Sequence, residues 1–267
     1  MDGCGRGSNF QLQTSDANPK TVLFVNIKLT VEYDGTNYHG WQFQANSESV
    51  QVVLERALST FLRTPTRVIG SGRTDAGVHA LGQVVSFSTD KEVSTYRIRR
   101  ALNALTPDDV TVKAVEIVAD SFDPRRDARS RVYEYHILNR ATRSPFLLRR
   151  AWHLHQPLNI DAMRAATACL VGEHDFSSFR AANCDSAHAT RHIFRTQIDQ
   201  RGDLVVYTVE ATAFLRHMVR AIIGTLVEVG HGLRTPESFH ELLERRDRSK
   251  AGDTAPAHGL YLLEVKY

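Results

Sequence analysis

The sequence predicts an α+β protein in which the order strand–helix–strand–strand–helix–strand occurs twice. Three observations carry this. Residues 25–33 alternate: Val25, Ile27, Leu29, Val31 and Tyr33 face one way and Asn26, Lys28, Thr30 and Glu32 the other, the period of a half-buried strand. Apolar residues recur at helical spacing over Val50–Leu62 and again over Ile98–Leu105, stopping before Pro65 and Pro107. The same succession of periods returns after residue 130.

Taken in order, the first strand ends at Asp34-Gly35, and a polar loop with Tyr38, His39 and Trp41 leads to the first helix. Arg67–Ile69 is expected as a short strand and Leu81–Phe87 as another. The second helix follows, then a fourth strand over Val110–Val118. In the second copy Arg131–Asn139 is a strand, and Ile160, Met163, Ala166 and Leu170 mark a helix with Gly172 as its stop. His192–Asp199 and Leu204–Ala213 are strands joined at Arg201-Gly202-Asp203, a hairpin signal. Leu215, Met218, Val219, Ile222, Ile223 and Leu226 mark a long helix that begins near Phe214. A further helix spans Pro236–Arg245, and Leu260–Lys266 closes as a strand. The repeated unit is the split βαβ, the ferredoxin-like or RRM-like topology. The expected architecture is two such halves with antiparallel sheets joined side by side and an active-site cleft between them. The expected divisions are a disordered tail over residues 1–20, a first domain over 21–121 and a second over 122–267. No Gly/aromatic signature of single-strand RNA stacking stands on either third strand, so the cleft is the better site.

Composition narrows the class. The 267 residues are 42% hydrophobic and 24% charged, an ordinary globular balance with room for two cores. No apolar run is long enough to span a membrane, and residues 1–20 lack the apolar core of a secretory signal. Three widely spaced cysteines, Cys4, Cys169 and Cys184, fit neither a disulfide framework nor a thiolate zinc site, so a reducing cytoplasm is expected. The net charge is only +3, yet Arg97–Arg150 holds 11 Arg and 1 Lys against 7 acids. An arginine-rich stripe suits phosphate and stacked bases, and suits an arginine-rich solvated surface equally well.

The stretch Gly70–Phe87, GSGRTDAGVHALGQVVSF, concentrates the chemistry. Three glycines surround Arg73, Thr74 and Asp75, with His79 close behind. Glycine at that density costs backbone entropy and marks close approach to a ligand or a tight turn. A carboxylate on such a loop is a candidate nucleophile or base, and in an arbitrary loop it is more often a turn cap. The glycine spacing lacks the third glycine and the parallel βαβ of a dinucleotide site. Arg216 and Arg220, four apart at the start of the long helix, oppose its dipole and call for a phosphate or a carboxylate such as Asp75. Tyr133 and Tyr135 share a strand face, where one ring could meet a base. His188 and His192 lack the glutamate of a zinc helix, so no metal is expected. His174 reads as a hydrogen-bonded structural residue in a loop that continues through Phe176–Phe179.

Together these motifs resemble the TruA-type tRNA pseudouridine synthases, over nearly all of residues 25–267. The pieces are Tyr33-Asp34-Gly35-Thr36 with Tyr38-His39-Gly40-Trp41-Gln42, Gly72-Arg73-Thr74-Asp75-Ala76-Gly77-Val78-His79-Ala80, Tyr133-Glu134-Tyr135, Gly172-Glu173-His174-Asp175-Phe176, Phe214-Leu215-Arg216-His217-Met218-Val219-Arg220 and Gly259-Leu260-Tyr261-Leu262. Phe122-Asp123-Pro124-Arg125 departs from the family pattern by a proline, which bears on a local turn.

The resemblance implies a cofactor-free isomerisation of uridine to pseudouridine at tRNA positions 38, 39 and 40, on the 3′ side of the anticodon stem-loop. The uridine is flipped out, its base is detached from C1′, turned, and rejoined through C5. Asp75 is then the nucleophile, on C1′ or on C6. Tyr133 stacks on the flipped base and helps to remove the C5 proton. Arg220 pairs with Asp75, Arg73 fills the gap left by the base, and Leu260 packs on the ring. Arg216 and His79 join the substrate-binding set. An arginine wedge and an aromatic platform suit the few kcal/mol that extrusion costs. The resemblance also implies a homodimer, with no metal and no membrane.

Two rival readings stay open at this level. A non-catalytic RNA-binding or RNA-folding protein on this scaffold would keep its effects in Asp75→Asn. A synthase acting on another RNA would need Asp75 but modify a different target.

Overall fold

The alternation of residues 25–33 becomes strand β1 (Val25–Tyr33), whose Ile27, Leu29 and Val31 are buried. The computed structural model describes residue 1 and residues 24–92, 94–182, 184 and 186–267, so the expected tail beyond Met1 lies outside the described residues. Helix α1 (Val50–Leu62) starts at Ser49, whose side chain accepts from the Val52 N–H, and stops at Arg63 in the left-handed region. Short β2 (Ile69–Gly70) leads through the glycine-rich loop to β3 (His79–Thr89). Helix α2 (Thr95–Leu105), capped by Ser94, and β4 (Val110–Val118) complete the first copy. The second copy runs β5 (Ser130–Asn139), β6 (Trp152–Leu154), α3 (Ile160–Thr167), β7 (Gly172–Asp175), β8 (Thr190–Arg201), β9 (Leu204–Ala211), α4 (Met218–Gly230), α5 (Pro236–Arg245) and β10 (Leu260–Lys266).

The strands pair in the order β4-β1-β3-β10-β5-β9-β8-β7, with β2 on β3 and β6 on β5. The first copy is thus β4-β1-β3-β2 and the second β10-β5-β9-β8, the same ferredoxin-like order twice. The two halves are joined side by side, as expected. They share one sheet, because β3 and β10 run parallel, with Tyr261 opposite His79 and Leu262 opposite Ala80. Further along, the same edge of β3 receives β2, at Val85 and Ser86.

Two apolar clusters fill the space between sheet and helices, one per copy, and each borrows from the other. Val78, from the glycine-rich loop, packs with Ile222, Leu226 and Phe239 in the second core. Leu262 and Val265 of β10 pack with Leu29 and Val85 in the first. Tyr133 lies against both.

Several expectations change. The short strand is Ile69–Gly70, not Arg67–Ile69. His174 and Asp175 belong to edge strand β7, not to a loop, although His174 Nε2 does reach the Val171 carbonyl at 3.0 Å. Strand β9 ends at Ala211. The long helix starts at Met218, four residues later than Phe214, because His217 adopts a left-handed backbone with φ of 62°. Arg216 therefore precedes the helix and shares no helical face with Arg220. At Pro124 the chain makes a tight turn in which Asp123 Oδ1 accepts the Arg125 and Arg126 N–H groups.

Candidate active site

The loop between β2 and β3 is held from several sides. The Ser71 N–H donates to the Val84 carbonyl at 2.8 Å, and the Ser71 hydroxyl donates to Gln83 Oε1 at 2.7 Å. Gln83 Nε2 returns a bond to the Gly72 carbonyl at 3.0 Å. Arg131, on β5, donates to the Ser71 carbonyl at 3.1 Å. The segment after β1 supplies the other wall: the Trp41 N–H donates to the Thr74 carbonyl and the Gly77 N–H to the Tyr38 carbonyl. Two glycines permit that approach. A Cβ on Gly35 would lie 2.0 Å from the Val78 carbonyl oxygen, and one on Gly40, where φ is +89°, 2.6 Å from that of Thr74.

Asp75 stands at the crest of this loop with its side chain 27% exposed. Arg220, in the first turn of α4 and 145 residues away, donates from Nη1 to Asp75 Oδ2 at 3.0 Å. Its Nε donates to the Ala255 carbonyl at 2.8 Å, and the Ala255 N–H donates back to the Arg220 carbonyl at 3.1 Å. The guanidinium is thus aimed by backbone before it meets the carboxylate. His217 Nε2 approaches the same Oδ2 at 3.4 Å.

Tyr133, on β5, packs edge-to-face on Phe214 with ring centroids 5.0 Å apart. Burial, and next the charge of Asp75, push its phenol above the ordinary tyrosine range. Arg73 is exposed on the loop, and Arg216 is exposed ahead of α4, where its carbonyl accepts from the Ala181 N–H. Leu260 is 6% exposed within the second core and sits opposite Tyr135 on β5.

His79 does not fit the substrate-binding role expected of it. Its side chain is 2% exposed. Nδ1 faces the Gly35 N–H at 3.1 Å and Asp34 Oδ1 at 3.0 Å, Nε2 faces the carbonyls of Arg149 and His258, and the ring stacks on Tyr261. It ties β1, the β3–β10 seam and the segment before β6 together beneath the loop. Alternation explains this: His79 already belongs to β3, four positions past Asp75.

Sequence reasoning missed Arg131, His217 and the Tyr33–Thr74 contact. Arg131 looks like one more cation in an arginine-rich run, yet its guanidinium donates to four backbone carbonyls, those of Ser71, Arg125, Ala128 and Thr212. The signal available for His217 was its place one turn before Arg220.

Two ferredoxin-like units are fused through one sheet, and a carboxylate loop of the first is answered across the seam by an arginine of the second. The chain belongs to the tRNA pseudouridine synthase family, whose model matches residues 29–125 and 166–267. The chain is 48% identical to tRNA pseudouridine synthase A of Myxococcus xanthus, covering 90% of this chain and 91% of that one. It is 45% identical to tRNA pseudouridine synthase A of Geotalea uraniireducens strain Rf4, covering 90% and 99% respectively. With tRNA pseudouridine synthase A of Thermoanaerobacter sp. strain X514 it shares 42% identity, over 91% and 99%.

Proposed function

We propose that this protein isomerises uridine to pseudouridine in tRNA, with Asp75 as the nucleophile. The Arg220–Asp75 contact of 3.0 Å carries the reading. It joins the loop of the first half to the helix of the second and leaves the carboxylate half-buried and reachable. A loop aspartate that merely capped its own turn would need no guanidinium from so far along the chain.

In the reaction the N1–C1′ bond breaks, C5 bonds to C1′, the C5 proton departs and N1 takes one up, so nothing is oxidised or reduced. Asp75 holds the sugar or the ring while the base turns. Tyr133 stacks on the extruded base and helps to take the C5 proton. Its raised phenol suits a neutral platform first. While Asp75 is engaged covalently it carries no charge, and one of the two causes holding the phenol protonated is gone. Arg73 takes the place vacated by the base, Leu260 borders the ring, and Arg216 lies on the path of the phosphates. In this reading residues 21–121 form the domain that carries Asp75 and residues 122–267 the domain that carries Arg220.

The finer target is the 3′ side of the anticodon stem-loop, the acting form is a homodimer, and the compartment is the cytoplasm. The arginine-rich stretch Arg97–Arg150 supports an RNA partner. Among the described residues no helix is long and apolar enough to cross a membrane. The test is to map pseudouridine in tRNA from cells carrying wild-type or Asp75→Ala protein. Loss of the modification is expected; its persistence refutes the assignment. Product appearing in another RNA, and not in the anticodon arm, would replace the target.

A further inference from the structure

Arg220 shares the Asp75 carboxylate with a second group. His217 places Nε2 3.4 Å from Oδ2, the oxygen that already receives Arg220. Among the described residues no hydrogen bond reaches Oδ1. The backbone of His217 is left-handed, with φ of 62° and ψ of 4°. That conformation is disfavoured for a side chain with a Cβ, and where it persists in a folded protein it gathers at functional sites. Capping the helix does not explain it, since the side chain makes no capping bond to α4. Glycine would make the same turn without strain. What the strained turn does is aim an imidazole at the carboxylate.

We propose that His217 is a positioning residue for Asp75: with Arg220 it clamps Oδ2 and leaves Oδ1 as the oxygen that bonds to the nucleoside. This rests on Asp75 being the nucleophile. A carboxylate held by one hydrogen bond still turns about its Cβ–Cγ bond. The Arg220 hydrogen bond and an imidazole packed 3.4 Å from the same oxygen, both from the start of α4, stop that rotation. Oδ1 makes one bond to the nucleoside and gives it up when C5 and C1′ are joined, so the carboxylate returns unchanged.

The groups facing the ring suit this work. Burial lowers its basicity first; Asp75 opposes, and Arg220, Arg216 and Arg248 add to the lowering. A neutral imidazole beside Oδ2 braces the carboxylate without adding a second full positive charge. It orients the carboxylate and spares its nucleophilicity, which a second cation would blunt.

The test compares two variants on intact tRNA. His217→Gly removes the ring and relieves the backbone. Its melting temperature should equal or exceed the wild-type value, and its KM should hold, while kcat falls roughly tenfold or more, the scale of a displaced reacting group. His217→Gln restores an amide N–H near the position of Nε2 but keeps the backbone strain, so it should melt lower than His217→Gly and turn over faster. A purely structural residue would make rate follow stability. A wild-type kcat in His217→Gly, or rates that rank with melting temperature, overturns the clamp. Asp75→Ala is run alongside. If it still makes product, the nucleophile assignment itself fails; if it is inactive and His217→Gly is not impaired, only the clamp fails.

Discussion

Tyr33 and Thr74 share a buried hydrogen bond of 2.8 Å that joins the end of β1 to the residue just before Asp75. Burial, the largest influence on Tyr33, holds its phenol protonated and able to donate. The bond therefore fixes the height of the loop over the sheet from below, while Arg220 fixes the carboxylate from the side. Tyr33→Phe leaves the Thr74 hydroxyl, 7% exposed, short of a partner. The expected cost is about 1–2 kcal/mol in urea denaturation, with kcat lowered several-fold and tRNA binding unchanged. Equal kcat in the variant would show that the loop does not depend on this tie.

Gly40→Ala should harm catalysis more than folding. The new methyl would meet the Thr74 carbonyl oxygen and impose a Cβ on a φ of +89°. Backbone strain of this kind costs roughly 1–3 kcal/mol. The loop must yield, because Trp41 on the next residue is anchored in the first core. Circular dichroism should report a folded protein that melts lower, and a turnover assay a rate down at least tenfold. Wild-type turnover would mean that the loop tolerates displacement.

Arg220 serves two partners with one planar group, and lysine has no such fork. Arg220→Lys should keep either the Asp75 contact or the Ala255 contact and lose roughly tenfold to a hundredfold in kcat, with KM for tRNA little altered. Arg220→Ala should lose more and leave Asp75 with only His217. Single-turnover assays separate the chemical step from RNA release. An Arg220→Lys enzyme at full rate would remove the arginine from the mechanism.

Acid should loosen the second half through Glu210. This carboxylate, on β9, accepts from Lys266 on β10, Ser130 on β5 and Arg195 on β8. Burial alone would raise its pKa; the bonds from Lys266, Ser130 and Arg195 outweigh it and hold the group below the ordinary glutamate value. A depressed carboxylate contributes stability above about pH 4.3, its unfolded value, and loses it as pH falls through the folded one. Glu210→Gln should therefore unfold at lower urea than wild type at neutral pH, and the two midpoints should converge as the pH falls below the unfolded value and through the folded one. A gap that stays constant as acid is added would exclude the linkage.

Much of this architecture was legible in the sequence. Both βαββαβ orders followed from periodicity, since Leu29 and Val31 or Leu54 and Leu58 obey one face each. Asp75 and Arg220 stood out because a glycine-rich loop and a cation in a first helical turn each need an explanation. The failures have local causes. Phe214 and Leu215 extend the apolar pattern of α4 backwards, and neither glycine nor proline announces the left-handed turn at His217. The β7 sequence, Gly-Glu-His-Asp, has no alternation to betray a strand, and it is a strand only because β8 offers it an edge. His79 looked like part of the loop's equipment, and only the β3–β10 pairing reveals that it is turned inward. Nor does any pattern in one chain give the parallel pairing of β3 with β10 through which the side-by-side sheets fuse.

Strand β10 has a consequence for biogenesis. Its seven residues are the last described element to leave the ribosome, and they are the ones that stitch β3 to β5. A nascent chain that has emerged only as far as α5 already carries Asp75 and Arg220, but not the seam that brings them into register. A polypeptide released at the end of α5 would carry both Asp75 and Arg220 yet lack the strand that joins β3 to β5, along with Ala255, whose carbonyl aims Arg220.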